Sequence, residues 1–94
     1  MIRVEGDTLR LEGGLTMATA GALLAEGRSL AAAGDCVLDL SAVSAADSAA
    51  LALIFDWLRC ARAAGHQLKV RGLPAGLASL AALYGVDALL PLDA

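Results

Sequence analysis

The sequence predicts an α/β domain built on one mixed sheet, and three observations carry that expectation. "IRVEGDTLRLEG" alternates apolar and polar residues about Gly6-Asp7, the pattern of an antiparallel hairpin with one buried face. Two further short runs, "CVLDL" and "QLKVRGL", read as strands and are separated by a long stretch of helical period. The connections between strand and helix are short, which implies parallel pairing through right-handed crossovers. The predicted architecture is therefore a single domain over residues 1–94, an N-terminal antiparallel hairpin plus parallel strands in one sheet, carrying about three helices.

Each element has its own signal. Ile2 and Val4 precede the turn, Leu9 and Leu11 follow it, and Gly13-Gly14 is expected to break the strand. Thr16 is the N-cap of a first helix over about residues 17–33. Met17, Ala20, Leu24, Gly27 and Ala31 recur there at helical spacing, flanked by Leu23 and Leu30, and Gly34-Asp35 ends it. "CVLDL", from Cys36 to Leu40, is a mostly apolar run and reads as a central strand covered on both faces. Residues 41–46 read as a loop. A second helix runs from about Ser48 to Ala64 and stops at Gly65. A strand follows around Leu68 and Val70. Pro74 suits the first turn of a third helix, with Leu77, Leu80 and Leu83 or Tyr84 on one face and Gly85 as its stop. "VDALLPLDA" reads as a short edge strand that Pro91 limits.

The chain is 59% hydrophobic and 3% aromatic, so its core must be built from Leu, Val, Ile and Ala. A body this small buries a limited fraction of its surface. So much apolar character also implies that some of it faces a partner. The net charge of −3, with the seven basic residues dispersed, speaks against nucleic-acid binding and against a polybasic membrane patch. The longest uninterrupted apolar run, Ala49 to Phe55, is far short of the about 20 residues a spanning helix needs. "MIRVEGDTLR" has no apolar stretch of the secretory type. The expectation is a soluble, cytoplasmic domain that reaches a membrane only through another protein. Cys36 and Cys60 read as reduced thiols inside apolar elements, and with one His they do not make a metal site.

On the second helix Ala50, Leu53, Ile54, Trp57, Ala61 and Ala64 share one side, expected to pack on the sheet. Ser48, Ala52, Phe55, Asp56, Arg59, Arg62 and Ala63 share the other. Phe55 near the centre of that outer face reads either as the anchor of a contact patch or as a ring tucked under a loop. Asp47 and Ser48 stand where a helix leaves backbone N–H groups without partners. They read as caps, or Ser48 reads as a docking or phosphorylation position.

Catalytic chemistry is not legible. There is no phosphate-binding G-x-x-x-x-G-K-[ST] loop and no G-x-G-x-x-G after a strand. His66 lies past the far end of the helix that Ser48 opens, roughly 25 Å away at 1.5 Å per residue, too far to serve as its base. No cofactor is expected.

"VLDLSAVSAADSAALALIFDWLRCARAAGHQLKVRGLP" resembles the STAS domain family. The resemblance rests on a strand ending Asp39-Leu40-Ser41, then Asp47-Ser48-Ala49-Ala50-Leu51 opening a helix, and it covers essentially the whole chain. It implies helices packed largely on one side of a mixed sheet. Family members include anti-sigma factor antagonists, switched by phosphorylation of the Ser after the Asp, and the small subunit of the Mla phospholipid transporter of Gram-negative bacteria, which maintains outer-membrane lipid asymmetry. "LPAGLASLAALYGVDALLP" resembles the latter's final helix and tail. The resemblance thus implies a non-catalytic regulatory subunit that binds the cytoplasmic ATPase subunit of an ABC transporter and meets the permease only indirectly. It maps the family's key hydroxyl onto Ser48, and the expected partner-binding residues are Ser44, Ala45, Asp47, Ser48, Ala52, Phe55, Asp56 and Arg59. An antagonist switched by phosphorylation at Ser48 is the alternative. Apolar surface left bare without the partner could also pair two copies of the isolated domain.

Overall fold

A computed structural model of the chain describes residues 1–92. Its elements follow the order β1 (Ile2–Glu5), β2 (Thr8–Leu15), α1 (Met17–Ala33), β3 (Cys36–Ala46), α2 (Ser48–Ala63), β4 (Leu68–Arg71) and α3 (Ala75–Leu83), with a 3-10 turn over Asp87–Leu89. The strands form one sheet in the order β1-β2-β3-β4. β1 and β2 are antiparallel about the Gly6 turn, where φ is 63°, and β2–β3 and β3–β4 are parallel. The expected mixed sheet with three helices is the one observed.

Cross-strand register sorts the sheet into two unlike faces. Leu9, Leu38 and Val70 stand side by side, as do Ile2 and Leu11, and Cys36 and Leu68. These are buried and join Leu23 and Ala31 of α1 and Leu53, Ile54 and Trp57 of α2 in one core. The other face carries two rows. Arg3, Arg10, Asp39 and Arg71 form one; Glu5, Thr8, Val37 and Lys69 form the next. None of these eight residues is buried. The expectation that β3 is covered on both faces is therefore corrected: Cys36, Leu38 and Leu40 are buried, while Val37 and Asp39 between them are only half-buried.

Two further expectations fail together. Gly13-Gly14 does not break β2, and residues 41–46 are not a loop. β2 runs on to Leu15 and pairs Glu12, Gly13, Gly14 and Leu15 with Ala42, Val43, Ala45 and Ala46 of an extended β3. Gly13, at φ 85°, sits beside a register shift, so the glycines bend the strand instead of ending it.

α1 occupies the expected residues, with Thr16 in a capping box with Thr19, but Met17 is 75% exposed and lies off the core. Leu23, Gly27 and Ala31 are its buried positions. α2 buries Ala50, Leu51, Leu53, Ile54, Trp57 and Ala61, while Ala64 is exposed. Trp57 packs on α1 at Gly27, where a Cβ would lie 2.0 Å from indole Cε2, and its Nε1 donates to the Leu24 carbonyl at 3.2 Å. Pro74 is the N-cap of α3, which buries Leu77 and Ala81; Leu83 and Tyr84 are exposed. The expected C-terminal edge strand reduces to one parallel bridge, Val70 to Leu92, with Val70 N–H donating to the Pro91 carbonyl at 2.9 Å. The last two residues of that expected strand lie outside the described residues.

Candidate functional site: the junction of β3, α1 and α2

The core-facing side of the sheet aims both β2 and β3 at one end of the molecule, where α1 and α2 begin. Asp47 closes that end. Its Oδ1 accepts from Ala49 N–H at 2.8 Å, capping α2, and its Oδ2 accepts from Met17 N–H at 3.0 Å, in the first turn of α1. One carboxylate thus satisfies open donors at two helix N-termini and sits where both dipoles favour negative charge. Its own N–H meets the Leu15 carbonyl at 3.4 Å.

Ser48, the first residue of α2, is exposed beside this clasp. It lines two grooves at once. One, about 450 Å³, lies between the end of β3 and α3, with Val43, Ser44, Ala45 and Asp47 on one wall and Pro74, Leu77, Leu80 and Tyr84 on the other. The second, about 510 Å³, lies between α1 and α2; its wall is mainly small and apolar, including Ala20, Gly21, Leu24, Ala49 and Ala52. Asp56, Arg28 and Arg59 close the far end of that groove. Asp56 accepts from Arg28 Nε at 2.7 Å and Nη2 at 2.9 Å, and from Arg59 Nη2 at 3.2 Å. Arg28 holds the Asp56 carboxyl below the usual carboxylate range, and Asp56 in turn raises the Arg28 guanidinium.

Of the residues read from the sequence as partner-binding, Ser44, Ala45, Asp47 and Ser48 fall in the first groove and Ser48, Ala52, Asp56 and Arg59 in the second. Phe55 lines neither. It is half-buried and packs against the core. Sequence reasoning missed Arg28, Met17 and Tyr84 as parts of these walls. Arg28 was legible only as a residue off the α1 stripe, since its partner is 28 positions away.

The acidic group next to Ser48, Asp47, is engaged in capping the two helices. His66 is at the other end of α2, its Nδ1 3.4 Å from Asp35 Oδ1. Among the described residues no three or more His, Cys, Asp or Glu side chains group as metal ligands, and no helix is long and apolar enough to cross a membrane. What the junction offers is shape, small apolar walls and a hydroxyl.

The family model described as "Mlab, STAS domain" matches residues 2–91. The chain belongs to the STAS domain family. Solved STAS-like folds agree with the architecture. A putative anti-sigma factor antagonist from Thermotoga maritima superposes with a TM-score of 0.74 at 17% identity, over 100% of this chain and 86% of that one. The anti-sigma factor antagonist SpoIIAA in its unphosphorylated form gives 0.68 at 14% identity, over 85% of this chain and 78% of that one. A structure of Mglu gives 0.61 at 28% identity over 80% of this STAS domain, which spans 19% of that longer chain. At identities this low the two antagonists speak to the fold alone. No curated protein matches the chain.

Proposed function

We propose that this STAS domain is a non-catalytic subunit of a phospholipid-transport ABC complex, serving outer-membrane lipid asymmetry, and that it binds the cytoplasmic ATPase subunit through the ledge around Ser48. The observation that carries the reading is the place of Ser48: an exposed hydroxyl at the first turn of α2, shared by two apolar-walled grooves, with the one imidazole of the chain, His66, past the other end of that helix. The match to a family model described by the name Mlab supports the same reading. In it the domain is cytoplasmic and peripheral to the inner membrane through its partners, the permease among them only indirectly, and it needs no cofactor.

The test is Ser48→Arg. The side chain points to solvent, so the substitution leaves the core intact, yet it fills the line where the grooves meet. Recovery of the ATPase with the tagged domain should fall at least about tenfold, as for a residue at the centre of an interface, with the thermal midpoint unchanged. Undiminished recovery at unchanged stability overturns the proposed surface.

A second reading, an anti-sigma factor antagonist switched by phosphorylation at Ser48, is favoured by the fold shared with the two antagonists. A phosphate there would add roughly −1.5 to −2 charge, attracted by the α2 N-terminus and repelled by Asp47. Intact mass of the protein from its native cell, with and without stress, separates the two. A phosphorylated fraction that changes with stress supports the switch; a mass without phosphate in both states supports the transport subunit.

A further inference from the structure

The helix-free face of the sheet is unlike the rest of the molecule. It carries Arg3, Arg10, Lys69 and Arg71, four of the seven basic residues of a chain whose net charge is −3, against Glu5, Glu12 and Asp39. Arg3 Nη2 pairs with Glu12 Oε1 at 3.2 Å. Asp39 Oδ1 accepts from Ser41 N–H at 2.9 Å, and that bond, with Arg10 and Arg71 beside it, holds its carboxyl below the usual range. Arg10, between Arg3 and Asp39 in the row, is different. Its Nε is buried and has no hydrogen-bond partner, the one such side-chain nitrogen or oxygen among the described residues. Buried donors without acceptors are uncommon because each costs its full desolvation.

We propose that this face is a second interaction surface, for a protein segment bearing carboxylates, and that Arg10 is its anchor. At rest the Arg10 Nε is covered with its N–H unspent, so moving the guanidinium toward a ligand forfeits no Nε bond. Once moved, the guanidinium presents Nε and Nη2 as a planar fork, which matches the two oxygens of a carboxylate. The neighbouring signs decide the class of partner. Glu12 and Asp39 flank Arg10, so a continuous anionic surface such as a bilayer meets repulsion on both sides. A protein that places one carboxylate over Arg10 and keeps its other acidic groups clear of Glu12 and Asp39 does not. Val37 is the single large apolar side chain in the two rows, which leaves nothing to insert into lipid. The surface is separate from the Ser48 ledge and does not depend on the reading of that ledge.

The probe is a Gly-Ser-Glu-Ser-Gly peptide blocked at both ends, so that it carries one carboxylate, titrated into the ¹⁵N-labelled full chain, with the Arg10 Nε–H resonance as the readout. The expected result is a saturable shift of that resonance with parallel shifts along the two rows, unchanged in Ser48→Arg. Both Arg10→Gln and Arg10→Lys should weaken binding at least about tenfold, because Lys keeps the charge and loses the fork. Equal binding by Arg10→Lys overturns the proposal, as does a peptide that shifts α2 residues while leaving the rows unmoved. Binding of phosphatidylglycerol vesicles to this face in preference to the peptide overturns it too. The wild-type resonance decides the matter even where a variant fails to fold.

Discussion

Asp56 shows how much of this protein's surface chemistry is held in single contacts. Its side chain is 13% exposed and takes three charge-assisted hydrogen bonds, two from the Arg28 fork and one from Arg59. Hydrogen bonding from Arg28, ahead of its charge and that of Arg59, depresses the carboxyl pKa. A carboxylate whose pKa is lower folded than unfolded binds fewer protons in the native state. Its stabilising contribution is complete above the unfolded value of about 3.9 and is lost as pH falls through the folded one. Asp56→Asn should therefore lower the urea midpoint at pH 7, and the two proteins should converge as pH falls through the lowered folded pKa of Asp56. A constant gap across pH 2–7 would show that the arginines do not act on the ionised form. Asp56 was legible in sequence as an outward residue of α2, but its clamp was not, because helical period reports facing and says nothing about a partner on another helix.

Element packing makes the same point through volume. α1 and α2 approach closely because position 27 has no side chain, and the Trp57 indole fills that space. A Cβ at Gly27 would fall 2.0 Å from Cε2, far inside contact, so Gly27→Ala must displace the ring and strain its bond to the Leu24 carbonyl. The expected cost is about 1–3 kcal/mol, as for overpacking a core, with a red shift in the emission of the chain's one Trp. Gly21, on the same helix, has nothing within 4 Å of its Cβ position. There the same change should stabilise by roughly 0.5–1 kcal/mol through helix propensity. Urea titrations of both variants check the opposite signs, and equal effects would remove the close approach as the explanation. Sequence marked Gly27 as a stripe position and Trp57 as a core residue, without their mutual fit. The extension of β3 was less legible still. "SAVSAA" is made of small residues with Val43 as its single branched one, too weak a signal to advertise a strand, and its pairing with Gly13-Gly14 depends on a segment 30 residues earlier. Two weak local signals became one strand pair only when brought together.

At the scale of the whole molecule the order of elements and the parallel crossovers were readable because apolar period and turn residues agree along most of the chain. What period cannot show is how a sheet ends. On one side β1 is the edge. On the other, β4 is four residues long, and the chain returns to cover it: Leu90 is buried, Pro91 accepts from Val70 N–H, and Leu92 bridges Val70. This return blunts an edge that would otherwise offer its backbone groups to another chain. Pro91 serves because it contributes a carbonyl and needs no donor of its own. Leu90 is the side chain that anchors the return in the core, so Leu90→Ser should release it. The expected loss is about 2 kcal/mol or more, in the range for truncating a buried leucine. Exchange of the Val70 amide should accelerate beyond what that global loss explains, while the Leu38 amide on β3 follows the global change. With the edge bare, the variant should also self-associate as concentration rises, visible by sedimentation. If Val70 and Leu38 exchange in step and the protein stays monomeric, the return is a passive tail, and the short length of β4 alone protects the sheet.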